Sequence, residues 1–441
     1  MSRLFALMAV FLASLAAQAA TLVLAGGTVI DGYGNAPIAN GVVVIENDRI
    51  LAVGGRDVID IPAGAEVIST EGMSVLPGLW DMQVQLMRLG HGDAARWNET
   101  YGPLAERVVM PIAARQLLYA GVTSARDVGA PLEAAIRVRE RIRDHLLEGP
   151  TLYVSGPRLR KLVPADAKAW QWAVNGAADA KAKVQALAAA RVNYVLLAEL
   201  DMWTAEELAA AVGEARLHGL AVHALAERPA DVERGIVLQL DGFLGTGMGT
   251  GAFPDNVILA LHQRLLQPAV RGLVWTPAIS ALLNFESLRL NAEPLDDPRA
   301  TEHLPPLVAA DVLGSLSDLD RVTAFEMPSV KAQSLCTKLR QLEDAKLTLV
   351  LGSDGGMAGH LHSRATWQEI DFWVHQCGIP ALRAIQAATH DAATAMGAGH
   401  ESGTIAPGKF ADIIAVRGDV LRHPGLLQAV DIVIKRGRRV R

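Results

Sequence analysis

The feature that most constrains this chain is a rhythm. Eight short apolar runs rich in β-branched residues recur at 74–79, 121–128, 151–156, 193–198, 220–224, 238–244, 273–279 and 347–352. Continuous apolar runs of this length suit strands buried on both faces, as in a parallel sheet. Stretches with helical spacing lie between several of them, such as 131–147, 178–191 and 204–218. Thr204 stands as an N-cap with Glu207 three residues on, the pattern of a capping box. Eight strands separated by helices predict an α/β fold, a (β/α)8 barrel of the TIM type, whose chemistry gathers at the C-terminal strand ends.

The two ends of the chain have another texture. Short runs at 21–23, 41–46, 49–53 and 66–69, and again at 403–405, 411–416 and 431–435, are punctuated by Gly, Asn and Asp. They predict a small β-sandwich built from residues 20–74 and 398–441, with a barrel of residues 75–397 inserted between. One connection is long: residues 281–346 separate the seventh and eighth runs and contain Pro294, Pro298, Pro305 and Pro306. Such an insertion is expected to form a lid or a partner surface.

The first residues belong to neither unit. Arg3 gives a positive start, residues 4–15 are small and apolar, and Ala17-Gln18-Ala19 fits a cleavage site. Residues 1–19 therefore read as a cleaved export signal, placing the mature protein in the periplasm or outside the cell. The apolar run is short for a membrane span, so an uncleaved anchor is the lesser alternative. The only cysteines, Cys336 and Cys377, either pair in an oxidising compartment or stay as buried thiols. The net charge of −6 comes without a basic run beyond Lys435 to Arg441, which gives nucleic acid no footprint.

Five stretches resemble the metal-dependent amidohydrolase superfamily, in its imidazolonepropionase-like and prolidase-like exported branch. They are Val75-Leu76-Pro77-Gly78-Leu79-Trp80-Asp81-Met82, the run from Gly121 to Gly129, Leu351-Gly352-Ser353-Asp354-Gly355-Gly356, the run from Gly403 to Ile413, and Val433-Ile434-Lys435-Arg436-Gly437-Arg438. They cover the mature chain in the family's order. The resemblance implies one or two divalent metals held by a His-x-His pair on the first strand, a carboxylated lysine on the fourth, histidines on the fifth and sixth, and an aspartate on the eighth. Such metals bring a bound water near neutrality and polarise a carbonyl.

Carried over residue by residue, the list breaks down. The first-strand pair falls on Gln83 and Gln85, the lysine on Leu196 and the sixth-strand histidine on Gly245; only His223 and Asp354 keep the family's residue types. Small errors of alignment do not rescue the site. No histidine precedes His91, no lysine lies between Lys183 and Lys331, and no histidine lies between His223 and His262.

His223 and Asp354 remain as catalytic candidates, a base and its orienter, or else as inherited positions with Asp354 capping backbone amides. Gln83 and Gln85 either fill an emptied cavity or contact a ligand. His360 and His362 could join His223 and Asp354 in a rebuilt single zinc or manganese site, although no metal is expected. Glu199 is a weak substitute for the bridging carboxylate, Arg126 and Asp127 are expected to pair, and the glycine-rich run 245–251 reads as a flexible loop. The expected function is that of a pseudoenzyme that has lost binuclear hydrolysis and binds a small-molecule or peptide-like ligand. The alternatives are a divergent hydrolase of C–N bonds using His223 and Asp354, and a structural subunit of a homo- or hetero-oligomer.

Overall fold

The computed structural model describes residues 21–247, 251–266, 272–290, 297–318 and 332–441, so the export segment at 1–19 and parts of the long insertion lie outside the described residues. Among the described residues no helix is long and apolar enough to cross a membrane.

Both ends of the chain weave into one eight-stranded sheet. Thr21–Val29 pairs antiparallel with Ile38–Glu46, which pairs antiparallel with Arg49–Gly55. The same first strand runs parallel to Glu66–Ser69 and Met73–Pro77. From the C-terminal side, Ile413–Arg417 lies antiparallel on Met73–Pro77 and continues the sheet through Ile432–Lys435 to Arg438–Arg439. Alternation along the strands splits the apolar residues between two faces. Leu22, Leu24, Val43, Ile45, Ile413 and Ile434 form one cluster, and Val23, Val42 and Val44 form another against Ile59 and Ile61.

The first apolar run, expected at 74–79 as one strand, divides. Met73–Pro77 belongs to this terminal sheet, and the parallel strands begin at Leu79–Val84. The break falls at Gly78, where a Cβ would lie 2.2 Å from Thr123 Cγ2. Only glycine lets the chain pass that close as it leaves one sheet for the next. The 403–405 run forms no strand, although Ile405 N donates to Asp31 O at 2.9 Å.

Ten parallel strands follow in two hydrogen-bonded arcs, eight of them at or beside the eight apolar runs. Leu79–Val84, Val122–Asp127 and Thr151–Val154 make the first. Tyr194–Leu197, Ala221–Leu225, Gly242–Leu244, Val274–Thr276 and Thr348–Leu349 make the second, extended beyond Tyr194–Leu197 by the short parallel strands Arg158–Arg160 and Gln171–Ala173. Asn193 links the arcs on one side, its N–H donating to Val154 O at 2.8 Å while its Oδ1 accepts from Val154 N at 2.9 Å. On the other side Met82 N donates to Leu351 O at 2.9 Å, and Asp354 N to Gln83 O at 2.7 Å. Helices pack outside, among them Ala205–Leu217, where the capping box of Thr204 and Glu207 is present as the sequence predicts.

The described part of the insertion is helical and packed. Pro306–Ser315 and Ala332–Asp344 bury Val308, Val312, Leu335 and Leu339 in the main core. Asp311 takes Arg96 at 2.6 Å, and Ser315 Oγ accepts from Gly92 N at 2.8 Å, so this helix is fastened over the loop after the first parallel strand.

Candidate functional site

The C-terminal ends of the first and eighth parallel strands are held together by one buried carboxylate. Asp81 accepts hydrogen bonds from Gln83 N at 3.1 Å, Ser353 N at 2.9 Å, Ser353 Oγ at 2.5 Å and Thr366 Oγ1 at 2.7 Å. Burial pushes its pKa up, and these donors oppose the rise. This anchor fixes the turn that carries Asp354, whose φ of 56° lies in the left-handed region uncommon for aspartate. Backbone of that kind survives where its surroundings over-determine it. Gln85 Nε2 donates to Asp354 Oδ1 at 2.8 Å. Gln83 is 5% exposed, and its Oε1 has no partner. Burial raises the Asp354 pKa, while Gln85, Arg158, Gln83 and Arg88 pull it down.

His223 faces a cation rather than Asp354. Arg126, wholly buried, donates from Nε to Met82 O at 2.7 Å and from an Nη to Thr276 Oγ1 at 2.9 Å, and its other Nη lies 3.3 Å from His223 Nδ1. Burial, with the guanidinium beside it, holds the His223 pKa well below its ordinary value, so the ring is neutral. Tyr194 packs edge-on against it at 5.4 Å. Gly242 makes room for the ring, since a Cβ there would lie 2.4 Å from His223 Nδ1. The expected ion pair between Arg126 and Asp127 does not form. Neighbouring strand residues point to opposite faces, and Asp127 instead accepts from Leu86 N at 3.0 Å and Gly129 N at 3.3 Å.

Leu196 pairs in register with His223 and is wholly buried in an apolar cluster with Val128, Tyr194, Ala198, Leu225 and Leu244. The lysine position is therefore part of an apolar lining. Gly245 has a φ of 82°, and a Cβ placed there would meet nothing within 4 Å. The sixth-strand histidine position thus looks onto open space. The 245–251 loop is described only in part, since 248–250 lie outside the described residues.

The remaining candidates scatter. His360 Nε2 lies 3.3 Å from Ser280 Oγ, whereas His362 Nε2 donates to Arg88 O at 2.9 Å. Both rings are wholly buried with Nδ1 unpartnered, and burial holds their pKa values down to about 3 and about 4. The rebuilt set of His223, Asp354, His360 and His362 is not brought together, because His-x-His in a loop does not share one face as it would on a strand. Among the described residues no group of three or more His, Cys, Asp or Glu is placed to hold a metal ion. Glu199 turns to Arg160 and to the amides of Lys161 and Leu162.

Sequence reading missed a cationic cluster. Arg88 follows the first parallel strand and Arg158 the third, and their guanidinium carbons lie 5.3 and 5.1 Å from the centre of the Trp170 ring. Arg158 N donates to Trp170 O at 3.3 Å, where the strand Arg158–Arg160 begins its parallel pairing with Gln171–Ala173. Burial and the like charge of Arg158 lower the Arg88 pKa to about 10. Arg158 opens the short strand Arg158–Arg160, Trp170 immediately precedes its parallel partner Gln171–Ala173, and Arg88 follows the first parallel strand, so no local spacing announces the three together.

A parallel α/β fold whose polar side chains converge at the C-terminal strand ends defines the class. The amidohydrolase family pattern matches residues 74–440, and the chain belongs to that family. Over 132 residues it is 33% identical to the 5-methylthioadenosine/S-adenosylhomocysteine deaminase of Symbiobacterium thermophilum, an overlap of 26% of this chain and 30% of that protein. The chain thus spans less than a third of the length of the curated relative it matches. Among solved structures, phenylurea hydrolase B superposes with a TM-score of 0.73 at 18% identity, covering 96% of this chain and 97% of that one. A Xaa-Pro dipeptidase with bound methionine gives 0.71 at 20% identity over 95% and 99%. At these identities the likeness shows the fold.

Proposed function

We propose that the protein uses its amidohydrolase fold to bind a small ligand and does not perform the family's metal-assisted hydrolysis. The carrying observation is the hydrogen bond from Gln85 Nε2 to Asp354 Oδ1 at 2.8 Å, with a neutral amide standing where the family offers an imidazole. The donor set does not fit a divalent ion. Two amides, a leucine and a glycine offer poor or no ligands, and the remaining imidazole faces the Arg126 guanidinium, which repels a second cation. Without metal, water activation and carbonyl polarisation are both absent, each worth several kcal/mol.

The unpartnered Gln83 Oε1 and the open space at Gly245 support ligand binding over simple infill. The hydrogen bonds joining the two strand arcs support a (β/α)8 barrel, and the Cys336–Cys377 disulfide supports an exported, oxidising location. The divergent-hydrolase reading rests on the raised Asp354 pKa, yet the contacts of His223 run to Arg126 and Tyr194 instead of Asp354.

Elemental mass spectrometry of the mature protein, expressed with added zinc and manganese and then dialysed, tests the proposal. Metal at background and no turnover of amide, urea or dipeptide substrates are expected. Near-stoichiometric metal with hydrolysis would overturn it.

A further inference from the structure

The densest run of positive charge in the chain is its last hairpin, with Lys435, Arg436, Arg438, Arg439 and Arg441. The turn of that hairpin is fixed in place. Arg436 and Gly437 both take left-handed backbone, with φ of 49° and 72°, the form that suits a two-residue connection between antiparallel strands. A Cβ on Gly437 would lie 1.7 Å from Asn47 O, and Gly437 N donates to Ala411 O at 3.0 Å. The basic residues are therefore carried on a turn pressed against the terminal sheet.

This hairpin borders a cavity of about 550 Å3, with the loop around His145 and Glu148 and the start of the strand Thr151–Val154 as its other walls. The cavity lies at the N-terminal end of the parallel strands, opposite to the end that carries Gln83, Gln85 and Asp354. Its size suits a small organic molecule. Five arginines and Lys435 line it, against a single acid, Glu148, which pairs with Arg115 at 3.2 Å. Three of the cations are answered: Arg143 by Asp144 at 2.9 Å, Lys435 by Asp412 at 2.7 Å, and Arg439 by the main-chain oxygen of Arg441 at 3.0 Å. Arg139, Arg436 and Arg438 have no carboxylate at ion-pair distance among the described residues. Arg139 donates to Arg191 O at 2.8 Å, and the Arg436 guanidinium carbon stands 3.4 Å from the centre of the Phe410 ring. Those contacts orient the two guanidiniums and leave their charge in place.

Three unanswered guanidiniums at one cavity call for more than one negative charge. Arginine grips carboxylate and phosphate alike with parallel N–H bonds, but a carboxylate brings one charge and a phosphate monoester nearly two. The rest of the lining is not charged. Leu147, Tyr153 and Val440 border the cavity half-buried, and burial pushes the Tyr153 pKa up to about 12, so its hydroxyl stays a neutral donor.

We propose that this cavity binds a phosphate monoester on a small organic body, with Arg139, Arg436 and Arg438 answering the phosphate and Leu147, Tyr153 and Val440 meeting the body. The site is separate from the one at the C-terminal strand ends and does not depend on it.

Calorimetric titration of the purified protein with phenyl phosphate and with phenyl sulfate tests the assignment, at slightly alkaline pH where the first is a dianion and the second a monoanion of the same shape. The phosphate is expected to bind at least about tenfold more tightly, with a preference that shrinks as salt is raised. Arg438 is exposed, so Arg438→Gln is expected to weaken phosphate binding about tenfold without moving the melting temperature. Arg422→Gln, an exposed change outside the cavity, should leave binding as it is. Sedimentation with phosphatidylcholine vesicles carrying phosphatidic acid distinguishes the source. Binding of phenyl phosphate without sedimentation assigns a soluble phosphate, whereas sedimentation that Arg438→Gln abolishes assigns a lipid headgroup. Equal binding of phosphate and sulfate, no binding of phenyl phosphate or vesicles at millimolar phosphate, or binding that Arg438→Gln retains in full would overturn the proposal.

Discussion

His362 lies wholly buried with Nε2 on the Arg88 carbonyl oxygen, and its pKa is held down to about 4. An unfolded histidine titrates near ~6.5. A depressed folded pKa gives stability that is complete above the unfolded value and is lost as pH falls toward the folded one. Glu369 acts oppositely: burial pushes its pKa up to about 7, so its contribution is lost as pH rises toward that value. A comparison between variants separates the two. Going from pH 7 to pH 5, the wild type should lose about 2 kcal/mol relative to His362→Gln, because only the unfolded wild-type histidine takes up the proton. Urea denaturation of both proteins at the two pH values reads this directly, and parallel losses would contradict the buried neutral ring. The lesson for sequence reading lies in the same residue. His360 and His362 have metal-ligand spacing, yet their rings go to Ser280 and to Arg88. The positions of Gln83, Gln85, Leu196, His223 and Asp354 were legible because each stands at a fixed place in a parallel strand or just beyond its C-terminal end. Arg88, Arg158 and Trp170 were not, because tertiary folding brings Arg88 to the strand pair that carries Arg158 beside Trp170.

At the scale of elements, the order of strands and helices could be read from the alternation of apolar runs, whereas the point where one sheet ends and the next begins could not. Met73–Pro77 and Leu79–Val84 are both apolar, and only the close approach at Gly78 separates them. Pairing of Cys336 and Cys377 was likewise open, since spacing carries no geometry. The disulfide joins the helix Ala332–Asp344 to the residue two beyond the helix Ala365–His375 and closes 41 residues of chain that include the Asp354 turn. Closing a loop of that length in the unfolded chain is worth up to about 4 kcal/mol. Replacing both cysteines by alanine should lower the unfolding free energy by about 2–4 kcal/mol. Denaturant titration against the oxidised wild type checks this, and equal midpoints would show that the described packing of Leu335 and Leu339 suffices by itself.

For the whole molecule, the question is whether the terminal sheet and the parallel strands unfold together. A largely buried ion pair of the terminal sheet reaches across to the parallel strands. Lys435 Nζ lies 2.7 Å from Asp412 Oδ2 and 2.9 Å from Thr151 Oγ1, at the start of the third parallel strand. Asp412 Oδ1 also accepts from Arg436 N at 2.8 Å, and its carbonyl oxygen accepts from Gly78 N at 2.9 Å, where the chain crosses between sheets. The side chains of Lys435 and Asp412 are 13% and 5% exposed. Removing one partner of a buried pair strands the other charge and costs about 3–5 kcal/mol. Asp412→Ala should therefore lower stability by that amount. All eight tryptophans lie between Trp80 and Trp373, outside the terminal sheet. Their fluorescence thus reports the parallel-strand body, although the substitution is made at the sheet. If the two parts are one cooperative unit, the fluorescence and circular dichroism melts of the variant fall together to a lower temperature. If the fluorescence melt keeps its wild-type midpoint while circular dichroism shows an earlier step, the sheet unfolds separately, and the ion pair is a local fastening rather than a link between the two parts.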